Sequence, residues 1–292
     1  MIKIAVAHLK GGVGKSSTTL FLAEHWALAG DRVLVIDLDP QSNASFMLLS
    51  REHLSTWEDG KKTLPDLLRD LRSSRKNLKL PKVDVATYLV PRCSDLVELH
   101  RGGMNGLVSI LPSIPRLWFE EYEFDKECHQ QNCDPVQERV AILQDALLQL
   151  EGLYDFVIMD CPPGFGSLAR AGVLLADHII APTIADYVSV RSLHDFFELG
   201  LRQPNGLDLR VKAHIVVSKY TNSNFQKSVL DLLRANYKVV LPPVKMLDDV
   251  LLATENIAGR TRTYRQKYPD TIARHIEPMT RAVKAAILAT NR

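Results

Sequence analysis

The run Lys10-Gly11-Gly12-Val13-Gly14-Lys15-Ser16-Ser17 decides how this 292-residue chain is read. Before it, Ile2 to Ala7 is a short apolar run carrying β-branched residues, and from Lys15 a helical pattern begins. A glycine cluster between a strand and a helix is the context that a phosphate-binding loop requires. Glycines let successive backbone N–H groups converge on phosphate oxygens with no Cβ in the way. The helix N-terminus adds further unpaired N–H groups and a favourable dipole. Lys15 is placed to reach β- and γ-phosphates, and the Ser16 hydroxyl to ligate Mg2+. Strict P-loop spacing asks for glycine where this chain has Leu9, so the motif is incomplete in text but not in context.

Outward from the loop, continuous apolar runs recur at Arg32 to Ile36, Val108 to Leu111, Phe156 to Met159, His178 to Ala181, Val211 to Val217 and Val239 to Leu241. Such runs suit a parallel sheet buried on both faces. Helical patterns lie between them, at about Lys15 to Ala29, Val136 to Leu150, Gly166 to Leu175, Ser189 to Leu201, Phe225 to Ala235 and Thr271 to Leu288. The alternation predicts an α/β fold, a doubly wound, mostly parallel sheet flanked by helices. The whole of 1–292 reads as one domain with an elaboration at about 50–106, holding a helix at Leu64 to Arg75 and a weak strand at Val85 to Val90.

Ligands of such sheets bind beyond the carboxyl ends of the strands. Two further acidic groups fall there. Asp37 and Asp39 stand two apart at one strand end, so both point to one side. Asp160 closes another strand before Cys161-Pro162-Pro163-Gly164. Carboxylates in these places hold Mg2+ and position an attacking water, which is most of what phosphoryl transfer needs from a protein.

Composition narrows the class. Hydrophobic residues at 46% and charged residues at 24% exclude a largely disordered chain, a collagen and a coiled-coil rod. Four cysteines without a CxxC pair argue against a disulfide framework or zinc ribbon. The first apolar run is too short for a signal-peptide core, and no stretch reaches the ~18 apolar residues of a membrane span. A reduced, soluble, cytoplasmic protein is expected. Charge is polarised: from Arg210 onward there are 15 Lys+Arg against 6 Asp+Glu, Trp118 to Asp160 has 11 acidic residues against 2 basic, and Lys61 to Lys82 has 8 basic against 2 acidic. Polarity of this kind suggests a partner of strong charge sign, nucleic acid among them, or else solvated faces.

Lys10 to Ser16 carries KGGVGK[ST] intact, and here the chain resembles the deviant Walker A ATPases, which include ParA and MinD. Asp37-Leu38-Asp39-Pro40-Gln41 is similar to the family's DxDPQ motif, and Asp160 to Gly164 to its D[CT]PPG switch. Softer matches are Leu111-Pro112-Ser113, Ala181-Pro182-Thr183, and Leu241-Pro242-Pro243-Val244 with Asp248. Ser218-Lys219 stands where the family more often has Thr or Asn. The resemblance implies ATP and Mg2+ as cofactors, with Gly11, Gly12, Val13, Gly14, Lys15, Ser16 and Ser17 at the phosphates, and Pro242, Val244 and Asp248 near the adenine. It implies Ser16, Asp37 and Asp160 around the metal, Asp39 at the hydrolytic water, and Lys10 reaching across to the nucleotide of a second subunit in an ATP sandwich homodimer.

Within that family the ParA type is expected: a slow ATPase stimulated by a partner or cargo adaptor, binding nonspecific DNA over a prokaryotic nucleoid, for partition or cargo positioning. Lys227, Arg234, Arg260, Arg262 and Arg265 are the candidate DNA contacts, with Lys219, Lys238 and Lys267 nearby in sequence and the basic Leu64 to Lys82 segment as a second surface. The alternatives are a MinD-like or secretion- or conjugation-associated ATPase that does not bind DNA, and a nucleotide-binding scaffold without hydrolysis. The last helix, with Ile272, Ile276, Met279, Val283, Ile287 and Leu288 on one stripe, is alanine-rich and reads as packed on the core, so no membrane contact is expected.

Overall fold

A computed structural model describes residues 1–77, 81–100, 105–201, 208–245, 253–254 and 261–290. Seven strands form one parallel sheet: β1 (Ile2–Val6), β2 (Arg32–Asp37), β3 (Leu107–Leu111), β4 (Phe156–Asp160), β5 (His178–Ile184), β6 (Ala213–Ser218) and β7 (Val239–Val240). Their order is β3-β2-β4-β1-β5-β6-β7. The chain runs from β1 towards one edge and later returns to cross to the other, so β1 lies beside the point where winding reverses. That point is where a doubly wound sheet opens a crevice.

Successive side chains of each strand enter opposite cores. Ala5, Leu34 and Ile36 join one apolar cluster, while Ile4, Val6, Val33 and Val35 join the other. The second cluster is covered by α1 (Lys15–Leu28), α2 (Asn43–Leu48), α3 (Arg51–Asp59) and the last helix. The first is covered by α4 (Leu64–Lys76), α5 (Leu117–Gln130), α6 (Pro135–Gln149), α7 (Ser167–Leu175), α8 (Tyr187–Asp195) and α9 (Asn224–Asn236). A short α10 (Tyr264–Lys267) precedes α11 (Asp270–Thr290).

Three expected elements differ. The weak strand at Val85 to Val90 is a 3-10 turn at Val85–Tyr88, after which Val90 alone pairs antiparallel with Ile110. That single bridge caps part of the β3 edge, a usual protection for an exposed strand. Val211 and Lys212 lie in a 3-10 turn before β6. The helix expected to continue to Leu201 is α-helical only to Asp195 and widens into a π-helical turn at Phe196–Leu201. On α11, Ile272, Ile276, Met279, Val283 and Ile287 are buried, and Leu288 is exposed. The Trp26 indole N–H donates to the Thr280 carbonyl at 3.1 Å, tying α11 to α1. No helix among the described residues is long and apolar enough to cross a membrane.

A buried ionic network fixes α10 against α1. The Lys267 ammonium lies 2.6 Å from both Glu24 and Asp95, and all three side chains are at most 4% exposed. The Ser94 hydroxyl donates to the same Glu24 oxygen as Lys267, and the Tyr268 hydroxyl donates to the other. Removing one member of such a network strands the others without solvent. Lys267→Met is therefore expected to destabilise the protein by about 3–5 kcal/mol, read as a lowered urea midpoint. At the opposite end of the sheet from the glycine loop, the rings of His178 and His214 lie 5.6 Å apart. Burial, then His178 and Lys238, lower the His214 pKa to about 4. The stability that neutral His214 contributes is complete above pH 6.5 and is lost as pH falls towards 4, by roughly 3 kcal/mol. His214→Leu should flatten the stability–pH curve across that window.

Candidate functional site

β1 ends at Val6, and the chain turns through Gly12 (φ +73°) and Gly14 (φ +92°) into α1. Both glycines occupy the left-handed region, where a Cβ is strained. Gly14 also packs on Ser218 at the end of β6: a Cβ there would lie 3.6 Å from the Ser218 hydroxyl oxygen. Ser218 Oγ donates to the Val13 carbonyl at 2.7 Å, and Lys219 Nζ to the Gly12 carbonyl at 2.8 Å. The loop is thus held from behind by its own carbonyls. Gly11, Gly12, Gly14, Lys15, Ser16 and Ser17 line a cleft of ≈ 480 Å³ together with Asp39, Gln41, Pro163, Ser218, Lys219 and Val244. Val13 points into the core instead.

Lys15 is nearly buried, and its ammonium donates to the Lys10 carbonyl at 3.3 Å. Burial lowers its pKa, and Asp160 and Asp39 oppose that shift. The Lys10 side chain turns to α8 of its own chain, donating to Ser189 Oγ at 2.8 Å and lying 3.8 Å from Asp186. His8, behind the loop, is held neutral with a pKa of about 4 by burial and by Lys15 and Lys10.

Asp37 and Asp160 are paired residues of neighbouring strands, and neither is exposed. Burial pushes both carboxyls up, Asp160 to about 7, with like charge adding to the rise. Their surroundings differ. Asp37 Oδ1 accepts from Asp39 N at 3.1 Å, and Oδ2 accepts from Ser45 N at 2.8 Å and Ser45 Oγ at 2.7 Å. The Thr19 hydroxyl donates to Asp160 Oδ1 at 3.2 Å, yet Asp160 Oδ2 has no hydrogen-bond partner among the described residues. A buried carboxylate pair with one orphaned oxygen beside a helix-start serine is a fitting place for a small hard cation. Mg2+ takes one or two carboxylates and completes its shell with waters and phosphates. Asp39 lies on the cleft wall with its carboxyl raised by burial against the pull of Gln41 N–H and Lys15.

Of the expected adenine contacts, Val244 lines the cleft, Pro242 is not among its lining residues, and Asp248 falls outside the described residues. The basic candidates divide. Lys227, Arg234 and Arg265 are exposed, the last two lying 3.1 Å from Asp231 and 3.6 Å from Asp270. Arg260 is outside the described residues. Arg262 does not belong to that surface: its side chain is 17% exposed and pairs with Asp95 at 2.6 Å. Lys267 is wholly internal, as above. The basic α4 is also no free surface, because Arg72 and Lys76 pair with Glu127, and Arg75 with Asp145, on the acidic α5 and α6.

Sequence reading missed Ser45, Asp186 and Ser189, and had Ser113 only as part of a motif match. Ser45 Oγ accepts from Ser113 N at 2.9 Å while donating to Asp37, so it joins the ends of β2 and β3. A buried carboxylate needs nearby donors, and that need was the available clue to a serine shortly after Asp37. Asp186 and Ser189 form an N-cap at the start of α8, with Ser189 N donating to Asp186 at 2.7 Å. The Asp-x-x-Ser spacing marked the cap but not its contact with Lys10.

Residues 1–200 match the family model AAA_31, described as an AAA domain. The chain is 27% identical over 241 residues to the chromosome partitioning protein ParA of Myxococcus xanthus, covering 80% of this chain and 71% of that one. It is 24% identical over 246 residues to the sporulation initiation inhibitor protein Soj of Bacillus subtilis, covering 82% and 83%. Its fold superposes on an ATP complex of a McdA variant from Cyanothece with a TM-score of 0.68, at 17% identity, over 97% of this chain and 96% of that one.

Ser45→Ala should leave the Asp37 carboxylate and the Ser113 N–H short of partners. The expected cost is about 1–3 kcal/mol, measured by urea denaturation in the absence of nucleotide.

Proposed function

The chain belongs to the ParA/MinD-type family of P-loop ATPases, on its ParA side, and from that premise we propose that it is a Mg2+-dependent ATPase whose ATP-bound homodimer binds DNA without sequence preference and serves partition or cargo positioning. The observation that carries this reading is that Lys15 and Asp39 share one cleft with the glycine loop, and that the buried Asp160 acts on Lys15 from behind. ATP would lie with its phosphates against the N–H groups of Gly11 to Ser17 and the Lys15 ammonium. Ser16 and Asp160 would hold Mg2+, which neutralises phosphate charge when bound. Asp37 supports from behind: its oxygens already serve Asp39 N–H and Ser45, so it fixes the backbone that presents Asp39. Asp39 orients the attacking water and accepts its proton. Lys10 leaves Asp186 and Ser189 to meet the nucleotide of the second subunit, and a partner protein stimulates turnover.

Lys227, Arg234 and Arg265 are the described residues proposed to meet DNA phosphates. Their pairs with Asp231 and Asp270 are surface ion pairs of small worth, readily exchanged for phosphate. The apolar stripe of α11 is spent on the core, which favours this reading over one anchored to membrane by that helix.

Binding of a labelled nonspecific duplex should require ATP, fail with ADP and fail in Lys15→Ala. Its log affinity should fall with log salt by about 0.9 per phosphate contact. Asp39→Ala should keep ATP-dependent DNA binding while phosphate release drops about 10²–10⁴-fold. DNA binding that ignores nucleotide and salt, or undiminished phosphate release in Asp39→Ala, would remove the corresponding half of the reading.

A further inference from the structure

We propose that Cys128 and Cys133 form a reversible intrachain disulfide, making the C-terminal turn of α5 a site of thiol oxidation. The turn has a defined geometry. Cys133 N donates to the Cys128 carbonyl at 2.9 Å, and Asn132 N donates to the His129 carbonyl at 3.4 Å. Asn132, between them, has φ +52°. Nested bonds of this kind around a left-handed residue make a Schellman motif, which brings the side chains of its first and last residues together. That contact usually joins two apolar groups. Here both positions are free cysteines, Cys128 in the core cluster and Cys133 packed against it.

The two thiols differ in a way that suits sequential chemistry. Cys133 is half-buried and reachable from solvent, whereas Cys128 is 3% exposed and packs in the core. Burial and the neighbouring Cys133 push the Cys128 thiol up to about 12, and Cys133, which solvent reaches, is the sulfur that meets an oxidant first. The other two cysteines lack this arrangement: the Cys93 and Cys161 thiols donate to the Val108 and Met159 carbonyls, and burial pushes both up.

The oxidant is hydrogen peroxide. The Cys133 thiolate attacks a peroxide oxygen; an S–O bond forms, the O–O bond breaks, and the leaving oxygen takes a proton to become water. Cys128 sulfur then attacks the Cys133 sulfenic sulfur. The S–S bond forms, the S–O bond breaks, and the Cys128 proton leaves with the hydroxyl as a second water. Two thiols lose two electrons in all, and the peroxide gains them. A dithiol reverses the bond by exchange.

The test uses the full chain, reduced, freed of reductant and treated with hydrogen peroxide. Thiols are counted after denaturation, and peptides are mapped by mass spectrometry. The count should fall from four to two, the peptide spanning 128–133 should lose two hydrogens, and dithiothreitol should restore both. Cys133→Ser should keep all its thiols at the same peroxide dose. Asn132→Gly, which leaves the left-handed turn accessible, should oxidise as the parent does. The inference falls if Cys133 proceeds to sulfinic acid beside a free Cys128, if the new disulfide joins two chains, if Cys133→Ser loses thiols as fast as the parent, or if neither thiol reacts.

Discussion

Two carboxylates side by side with no solvent, Asp37 and Asp160, are the constraint around which the nucleotide end of the sheet is arranged. Like charges in that position cannot both ionise freely unless donors or a cation compensate them. Asp37 is compensated permanently, by the backbone of Asp39 and by both donors of Ser45. Asp160 is compensated only in part. The division of labour follows: one acid is structural and shapes the loop that carries Asp39, and the other keeps an oxygen without a partner among the described residues, the one proposed for the metal. Parallel strands make the division possible, because their carboxyl ends all emerge on one side.

Much of this was legible from local pattern. Every strand showed as a continuous apolar run, because a sheet covered on both faces needs apolar residues at every position. The glycine loop was legible because its chemistry demands residues that little else explains. What escaped was non-local. Val85 to Val90 has strand composition, but only Val90 finds a partner, at an edge already near its end. Helix α5 was passed over because few of its residues are buried: Leu117, Phe124 and Cys128 face inward, while Trp118, Phe119 and Tyr122 face out. An apolar stripe so narrow, among acids, has no clear period.

Candidate site residues divide on the same line. The glycines, Lys15, Ser16 and Asp39 line one cleft, as the motif's spacing requires. The basic candidates could not be sorted by counting, since a count does not know which lysine faces an acid. Lys267 and Arg262 stand five residues apart in the most basic part of the chain, yet both are consumed by acids from distant segments, Glu24 and Asp95.

That pairing is general. Basic α4 lies on acidic α5 and α6, Arg210 binds Asp208 and Glu198, and Lys284 binds Asp31. A chain whose regions carry opposite signs thus folds so that basic and acidic segments far apart in sequence face one another. What it feels of a polyanion is set by the cations left without an internal acid.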